Sequence, residues 1–379
     1  NYQACITDNT SALRLDPNKE AAFVNRGLCY YRMSRYDDAL TDFNRAIQLL
    51  STNHISFHNR GLTYYSKKNF DAAIADLSRA IQLNANYANS YKSRGDTYSE
   101  KQEHDLALAD FNKAIQLNPN LTEAYYSRGL THSDKGNWDL AIADATKYIS
   151  LRPENNTLLA DGYTLRAYAH LQKQSYEKVI EDETKAIEIS PDLSSAFHNR
   201  GLANYHLGKY EGAITDFTKA LSITPNSAPL HFGRGRAYFF SAKYSEALAD
   251  MNRSLELAPA DLDATYIRGR TLSALQRPAE AVVDYSACLA QSPKAYNCAL
   301  YRDYAGAIED FKSYSAQNPK DLSIHRTISW TCLYANDGDA AYESAATFLE
   351  LNGMKGENAP YGVISGYLGL RKAKKNLGA

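Results

Sequence analysis

The chain is 379 residues long, 22% charged, and carries a formal net charge of −1. That length exceeds one ordinary hydrophobic core, so several domains or a repeat array are expected. The charge balance excludes a general attraction to nucleic acid or an anionic membrane, and no apolar run approaches the roughly 18 residues of a spanning helix.

The first 19 residues carry one helical stretch ending near Pro17. From residue 20 a beat sets in. Arg-Gly stands at 26–27, 60–61, 94–95 and 128–129, in steps of 34 residues. After a step of 38 it resumes as Arg166-Ala167, then continues as Arg-Gly at 200–201, 234–235 and 268–269. Ala-Leu-Thr-Asp-Phe at 39–43 returns as Ala-Ile-Ala-Asp-Leu at 73–77, Ala-Leu-Ala-Asp-Phe at 107–111 and Ala-Ile-Thr-Asp-Phe at 213–217. Pro119, Pro153, Pro191, Pro225, Pro259, Pro293 and Pro319 keep time with them. Within one period Tyr91, Gly95 and Tyr98 share a helix face, and Leu106, Ala107, Phe111, Ala114 and Ile115 share another. A polar turn from Ser99 to Asp105 separates the two, and Pro119 stops the second helix. Glycine inside a helix costs about 1 kcal/mol. Its return at the place of Gly95 therefore implies close packing against the small Ala107 level.

The order of aromatic, Gly, Tyr, Ala, Phe, Ala and Pro over one period resembles the tetratricopeptide repeat. Counting from Glu20 as position 1, Gly27 is position 8, Ala39 is 20, Phe43 is 24 and Ala46 is 27. The resemblance covers nearly the whole chain. It implies an all-α fold, a right-handed superhelical solenoid of antiparallel helix pairs. Residues 1–19 are then the second helix of a truncated repeat, so the chain is read as a fragment from which any targeting segment would be lost. Four repeats fill 20–155. A four-residue insertion opens the 156–295 segment, whose four repeats run 160–193, 194–227, 228–261 and 262–295. One compressed unit (about 296–321) and one divergent unit (322–355) follow, and 356–379 is expected to be a C-terminal capping helix. Between Pro293 and Tyr304 about eight residues of the period are lacking; either the solenoid breaks there or a tract is absent. Flexing is expected to concentrate at 154–165 and 294–303.

Two charged columns keep the beat. Position 7 is Arg26, Arg60, Arg94, Arg128, Arg166, Arg200, Arg234 and Arg268. Position 23 is Asp42, Asp76, Asp110, Asp144, Asp182, Asp216, Asp250 and Asp284, with Asp8 and Asp310 beyond either end. The family more often has an apolar residue at position 7. The two positions stand level on antiparallel helices, so each Asp is expected to face the Arg of its own repeat and that of the next, in a continuous structural ladder. A basic stripe for anions is the competing reading.

In the family the first helices line a concave groove. Carried over position by position, this gives Asn25, Asn59 and Asn199 as candidate backbone-gripping amides, similar to the asparagine ladder in the repeats of O-linked N-acetylglucosamine transferase. Tyr31, Tyr65, Tyr126, Tyr205 and Phe239 are candidate aromatic contacts, with His58 and His198 beside them. Solvated amides and helix-to-helix packing are the bland alternatives. The clamp that some family members use for chaperone C-termini needs Lys at position 5 and Asn at position 9. Here Lys92 is followed by Asp96, so that clamp is not expected.

The 29 tyrosines suit both partly buried positions and a groove. The odd number of cysteines, 5, does not read as a disulfide framework, and Cys5 and Cys288 fall where small core residues are expected. Cys288 and Cys298 lack a following histidine pair, and no metal or cofactor is expected. There is no phosphate loop, nucleophile elbow or His-Glu-x-x-His, and His132, His170 and His206 have no visible partner. The expected function is a non-enzymatic scaffold for a protein or extended peptide. Alternatives are a substrate-recruiting segment of a larger enzyme, or self-association of one molecule's end in another's groove. The compartment stays open.

Overall fold

The computed structural model describes residues 1–152 and 156–291, with 312, 315–316, 343–345 and 347. The expected units over 296–355, the capping helix, Asp310 and the 294–303 contraction lie outside the described residues or rest on them only in isolated places. Among the described residues the chain forms 17 helices and no strand. They belong to two compact units, Asn1–Pro191 and Asp192–Ala379.

In the first unit α1 (Tyr2–Leu15) precedes five pairs: α2 (Glu20–Arg32) with α3 (Tyr36–Leu49), α4 (His54–Ser66) with α5 (Phe70–Leu83), α6 (Ala88–Glu100) with α7 (His104–Leu117), α8 (Thr122–Asp134) with α9 (Trp138–Ser150), and α10 (Asn156–Gln172) with α11 (Tyr176–Ile189). The second unit holds α12 (Ser194–His206) with α13 (Tyr210–Ile223), α14 (Ala228–Phe240) with α15 (Tyr244–Leu257), and α16 (Leu262–Ala274) with α17 (Pro278–Gln291).

Each pair is folded back by the same device. In the first repeat the Arg35 amide returns to the Tyr30 carbonyl at 2.9 Å and the Ser34 amide to that of Tyr31 at 2.9 Å, which closes the end of α2. Ser34 takes the left-handed conformation this closure needs, with φ 58°. The same place is left-handed in every described repeat, at Lys68, Gln102, Gly136, Gln174, Gly208, Ala242 and Gln276. Arg35 then caps α3, so the reversal needs only three residues.

The core follows the repeat columns. Ala39, Ala73, Ala107, Ala141, Ala213 and Ala247 are buried, and so are Phe43, Leu77, Phe111, Phe217 and Met251 one turn on. A Cβ on Gly95 would lie 2.7 Å from the Phe111 ring, so glycine there is a packing requirement. First helices touch the first helix of the next pair, α2 with α4, α4 with α6, α6 with α8 and α8 with α10, and likewise α12 with α14 and α14 with α16. Second helices have no comparable contact among the described residues. The first-helix side is therefore the inner, crowded side of each unit.

The four-residue insertion lengthens a helix. α10 has 17 residues where other first helices have 13. Its neighbour α9 also departs from the pattern: Ala145 stands where Phe111 does, and Tyr148 where Ala114 does. The ring has moved one turn along. Tyr148 is buried and leans on Gly162, whose added Cβ would meet Tyr148 Cδ1 at 2.5 Å.

One expectation is corrected here. Cys5 is bonded to Cys29 in a disulfide, Cα–Cα 6.5 Å, tying α1 to α2. One repeat later the same two places hold Ala39 and Thr63. Cys288 is buried, as a core residue would be, and its Sγ lies 3.6 Å from the Leu262 carbonyl oxygen.

Candidate functional site

The Arg and Asp columns meet across each helix pair. In all eight repeats the Arg Nη2 donates to Asp Oδ1 at 2.5–2.8 Å, and Nε donates to the same carboxylate. The pairs are Arg26–Asp42, Arg60–Asp76, Arg94–Asp110, Arg128–Asp144, Arg166–Asp182, Arg200–Asp216, Arg234–Asp250 and Arg268–Asp284. Each such fork is planar and bidentate. The carboxylates hold Arg26, Arg60, Arg94, Arg166, Arg234 and Arg268 above the usual guanidinium range by hydrogen bonding, against the opposing effect of burial.

The link between repeats differs from the expected one. The next repeat's Arg does not reach the Asp. Its Nη1 donates to a neutral side chain two residues further on: Arg60 to Asn44 at 2.6 Å, Arg94 to Ser78 at 2.9 Å, Arg128 to Asn112 at 2.6 Å and Arg166 to Thr146 at 3.1 Å. Arg26 to Thr10, Arg234 to Thr218 and Arg268 to Asn252 repeat the pattern. The forked carboxylate keeps lone pairs for other donors, as where Asn204 donates to Asp216 at 3.0 Å, and the third N–H of the next arginine goes instead to an uncharged Asn, Ser or Thr. The sequence carries this signal as a column of Thr, Asn and Ser sixteen residues before most of the arginines. Phe23, Phe57, Tyr91, Tyr125, Tyr163 and Phe197 lie under the guanidinium groups at 5.6–5.9 Å. Seven of these arginines thus bond side chains of two neighbouring helices at once.

The first-helix face is less uniform. Asn25 is exposed, Asn59 half-buried and Asn199 buried, so the three amides do not form one accessible row. His58 is corrected too. It is buried edge-on to Tyr87 at 5.2 Å with Nδ1 3.1 Å from Ser90 Oγ, and burial brings its pKa down to about 4, helped by His54 and Lys92. His198 is half-buried, 6.0 Å from the Phe217 ring, its pKa lowered by burial. Tyr31 and Tyr65 are half-buried and also serve the stacking: Ser66 donates to the Tyr31 hydroxyl at 3.2 Å, and the Tyr65 hydroxyl approaches Glu100 at 3.5 Å.

In the first unit this face opens into a cleft of about 460 Å³ over α6 and α8. Tyr65, Tyr126 and Tyr148 supply rings, Leu130 and Leu158 apolar walls, and Ser99, Ser127 and Thr131 the space. Leu158 comes from the extra turn of α10. Tyr126 and Tyr148 lie 5.1 Å apart, and burial raises the pKa of both hydroxyls. Lys92 and Asp96 pair in the cleft at 2.8 Å. Burial raises the Asp96 pKa, against the opposing pull of Lys92 and of a hydrogen bond from Ser127. With Lys92 committed to Asp96, this place does not offer the charge a terminal carboxylate would need.

In the second unit the face is built differently. Arg236 lies over the Tyr205 ring at 4.4 Å and the Phe232 ring at 5.2 Å. One repeat on, Arg270 lies over Phe239 at 4.9 Å and Tyr266 at 6.0 Å. Tyr205 and Phe239 were candidates from the sequence, and each has an arginine of the next first helix over its ring.

Models of the tetratricopeptide repeat match residues 21–53, 61–102, 95–136, 122–155, 205–240 and 232–296, together more than half of the chain. No curated protein matches in sequence. Among solved structures, the APC/C hetero-tetramer Cut9-Hcn1 is similar at 16% identity and TM-score 0.52, over 72% of this chain and 53% of that one. The chain thus spans about half the length of that relative. The C-terminal part of a TPR repeat-containing protein from Cytophaga hutchinsonii is similar at 19% identity and TM-score 0.50, over 63% and 96%. Both likenesses concern the fold. With the helix pairs, the family-model matches and the solved solenoids in agreement, the chain belongs to the tetratricopeptide repeat family.

Proposed function

We propose that the protein is a scaffold that holds an extended segment of a protein partner along its first-helix faces. The cleft over α6 and α8 carries this reading. It joins aromatic and apolar walls to hydroxyls and to the charged Lys92, Asp96, Glu100, Glu123 and Asp134, so apolar contact and polar positioning groups meet in one place. The charged columns support it from the other side. They pair with one another in each described repeat, which fits a frame better than a reacting centre.

The test is partner capture by the immobilised full chain, compared with Leu130→Glu. Leu130 is exposed on the cleft wall, so the charge should disturb binding and not folding. Loss of specific captured proteins is expected. Equal recovery of every captured protein, with the helical signal intact, would end the cleft reading. An Asn25, Asn59 and Asn199 triple alanine variant separates the aromatic cleft from the amide grip, and is expected to be the milder of the two.

A further inference from the structure

Within the second unit most described arginines reach a carboxylate. Arg200, Arg234 and Arg268 hold Asp216, Asp250 and Asp284; Arg253 and Arg277 hold Glu256 and Glu280. Arg236 stands apart. Its one hydrogen bond runs from Nη2 to the neutral Tyr205 hydroxyl at 2.9 Å, and its buried Nε has no partner. Asp263 is near enough for Arg236 to lower its pKa, against the larger upward push of burial, yet it makes no ion pair with it among the described residues.

The rings explain how such a cation is held. The Arg236 guanidinium carbon lies 4.4 Å from the Tyr205 ring centre and 5.2 Å from that of Phe232, contacts that hold a cation without neutralising it. With Nη2 bonded on one side and Nε shielded, the remaining edge is Nη1 and the second N–H of Nη2. That edge has the spacing of a carboxylate's two oxygens. One repeat on, Arg270 also lies over two rings of the first-helix face, Phe239 at 4.9 Å and Tyr266 at 6.0 Å.

We propose that this face of the second unit binds an acidic segment of a protein partner, with a carboxylate seated on the outward edge of Arg236 and the segment continuing toward Arg270. The proposal rests on the scaffold reading and adds the partner's chemistry to it. The probe is a fluorescein-labelled hexaglutamate peptide, titrated with the full chain and read by fluorescence anisotropy. Arg236→Gln is expected to raise Kd at least tenfold, and Arg270→Gln several-fold. Arg253→Gln, an exposed arginine on the second helix of the pair, is expected to leave it unchanged. Arg236→Lys keeps the charge but loses the fork, and is expected to weaken binding at least fivefold; it serves if the glutamine variant loses its helical signal. No binding to the wild-type chain at 1 mM overturns the proposal. So does an unchanged Kd in Arg236→Gln, or an equal loss in Arg253→Gln. Inorganic phosphate displacing the peptide at lower concentration than free glutamate would assign the edge to a phosphate instead, and would also overturn it. A chain that ignores hexaglutamate yet loses captured proteins on Leu130→Glu would sink this inference alone and leave the scaffold reading standing.

Discussion

Removing Arg94 should unpick one seam of the array. Its Nε and Nη2 lie 2.7 and 2.8 Å from Asp110, and its Nη1 lies 2.9 Å from Ser78, so one side chain joins α6, α7 and α5. The Arg94 side chain is 21% exposed and that of Asp110 is 8%. An exposed pair would contribute about 0–1 kcal/mol, and breaking a buried one costs about 3–5. Arg94→Ala strands a buried carboxylate and should cost about 3 kcal/mol, just inside the buried range. Asp110→Ala should cost less, about 1–2 kcal/mol, because the Arg94 edge can turn to water. The double variant should then lose less than the sum of the two. Because a repeat array need not unfold in one step, the assay is amide hydrogen exchange resolved by helix, in urea so that the ions are not screened. Protection should fall in α5 to α8 and hold in α1 and α2. A change below about 0.5 kcal/mol for Arg94→Ala, or strict additivity of the two variants, would refute the seam.

His58 makes stability depend on pH. Its folded pKa of about 4 lies below the ordinary value of 6.5; the unfolded chain therefore takes up the proton first. The contribution is complete above about pH 6.5 and is lost as pH falls toward 4, about 2 kcal/mol between pH 7 and 5. His58→Gln should flatten that slope in urea titrations at the two pH values. At the reversals, Ala242→Gly should raise the urea midpoint by the equivalent of about 1 kcal/mol and Gly208→Ala should lower it similarly, because both residues have positive φ, 58° and 73°. Gly162→Ala should cost about 2–3 kcal/mol through the clash with Tyr148, and Tyr148→Leu should recover part of it. An unchanged melting curve for Gly162→Ala would mean that α9 and α10 do not approach as described.

The helix pairs were legible because their packing residues recur in register. Gly95 with Phe111 and Ala107 can be read as one contact once the period is known, and the structure places them together. The reversal residue was not legible. Ser34, Lys68, Gln102, Gln174, Ala242 and Gln276 share a left-handed backbone but no side-chain chemistry, since the helix closure around them imposes the conformation. The third arm of Arg60, Arg94 and Arg128 stands in the sequence as Asn44, Ser78 and Asn112, but a column of mixed neutral side chains is a weaker signal than an invariant carboxylate two residues away. His58 and Asn199 show a different limit. A position number says which side of a helix a residue occupies, while its exposure depends on what the neighbouring helices place over it. The Cys5–Cys29 bond likewise needed the spatial neighbours of the two columns.

The same separation explains how one frame carries two unlike surfaces. Through α6 to α9 the ladder is intact, with Arg94, Asp110, Arg128 and Asp144 in place. The first-helix face nonetheless changes, because Ser99 and Ser133 stand where Tyr31, Tyr65, Tyr205 and Phe239 stand elsewhere. Ser99 leaves room in the cleft, and the added turn of α10 closes one wall with Leu158. In α14 and α16 the ladder is again intact at Arg234 and Arg268, while Arg236 and Arg270, two residues along, lie among rings on the other side of the same helices. Two residues along a helix turn a side chain by more than half a circle. Position 7 is therefore bound to the partner helix of its own pair, and position 9 can vary without touching that bond. Binding chemistry in this protein can thus change from repeat to repeat at little cost to the stacking that holds the repeats together.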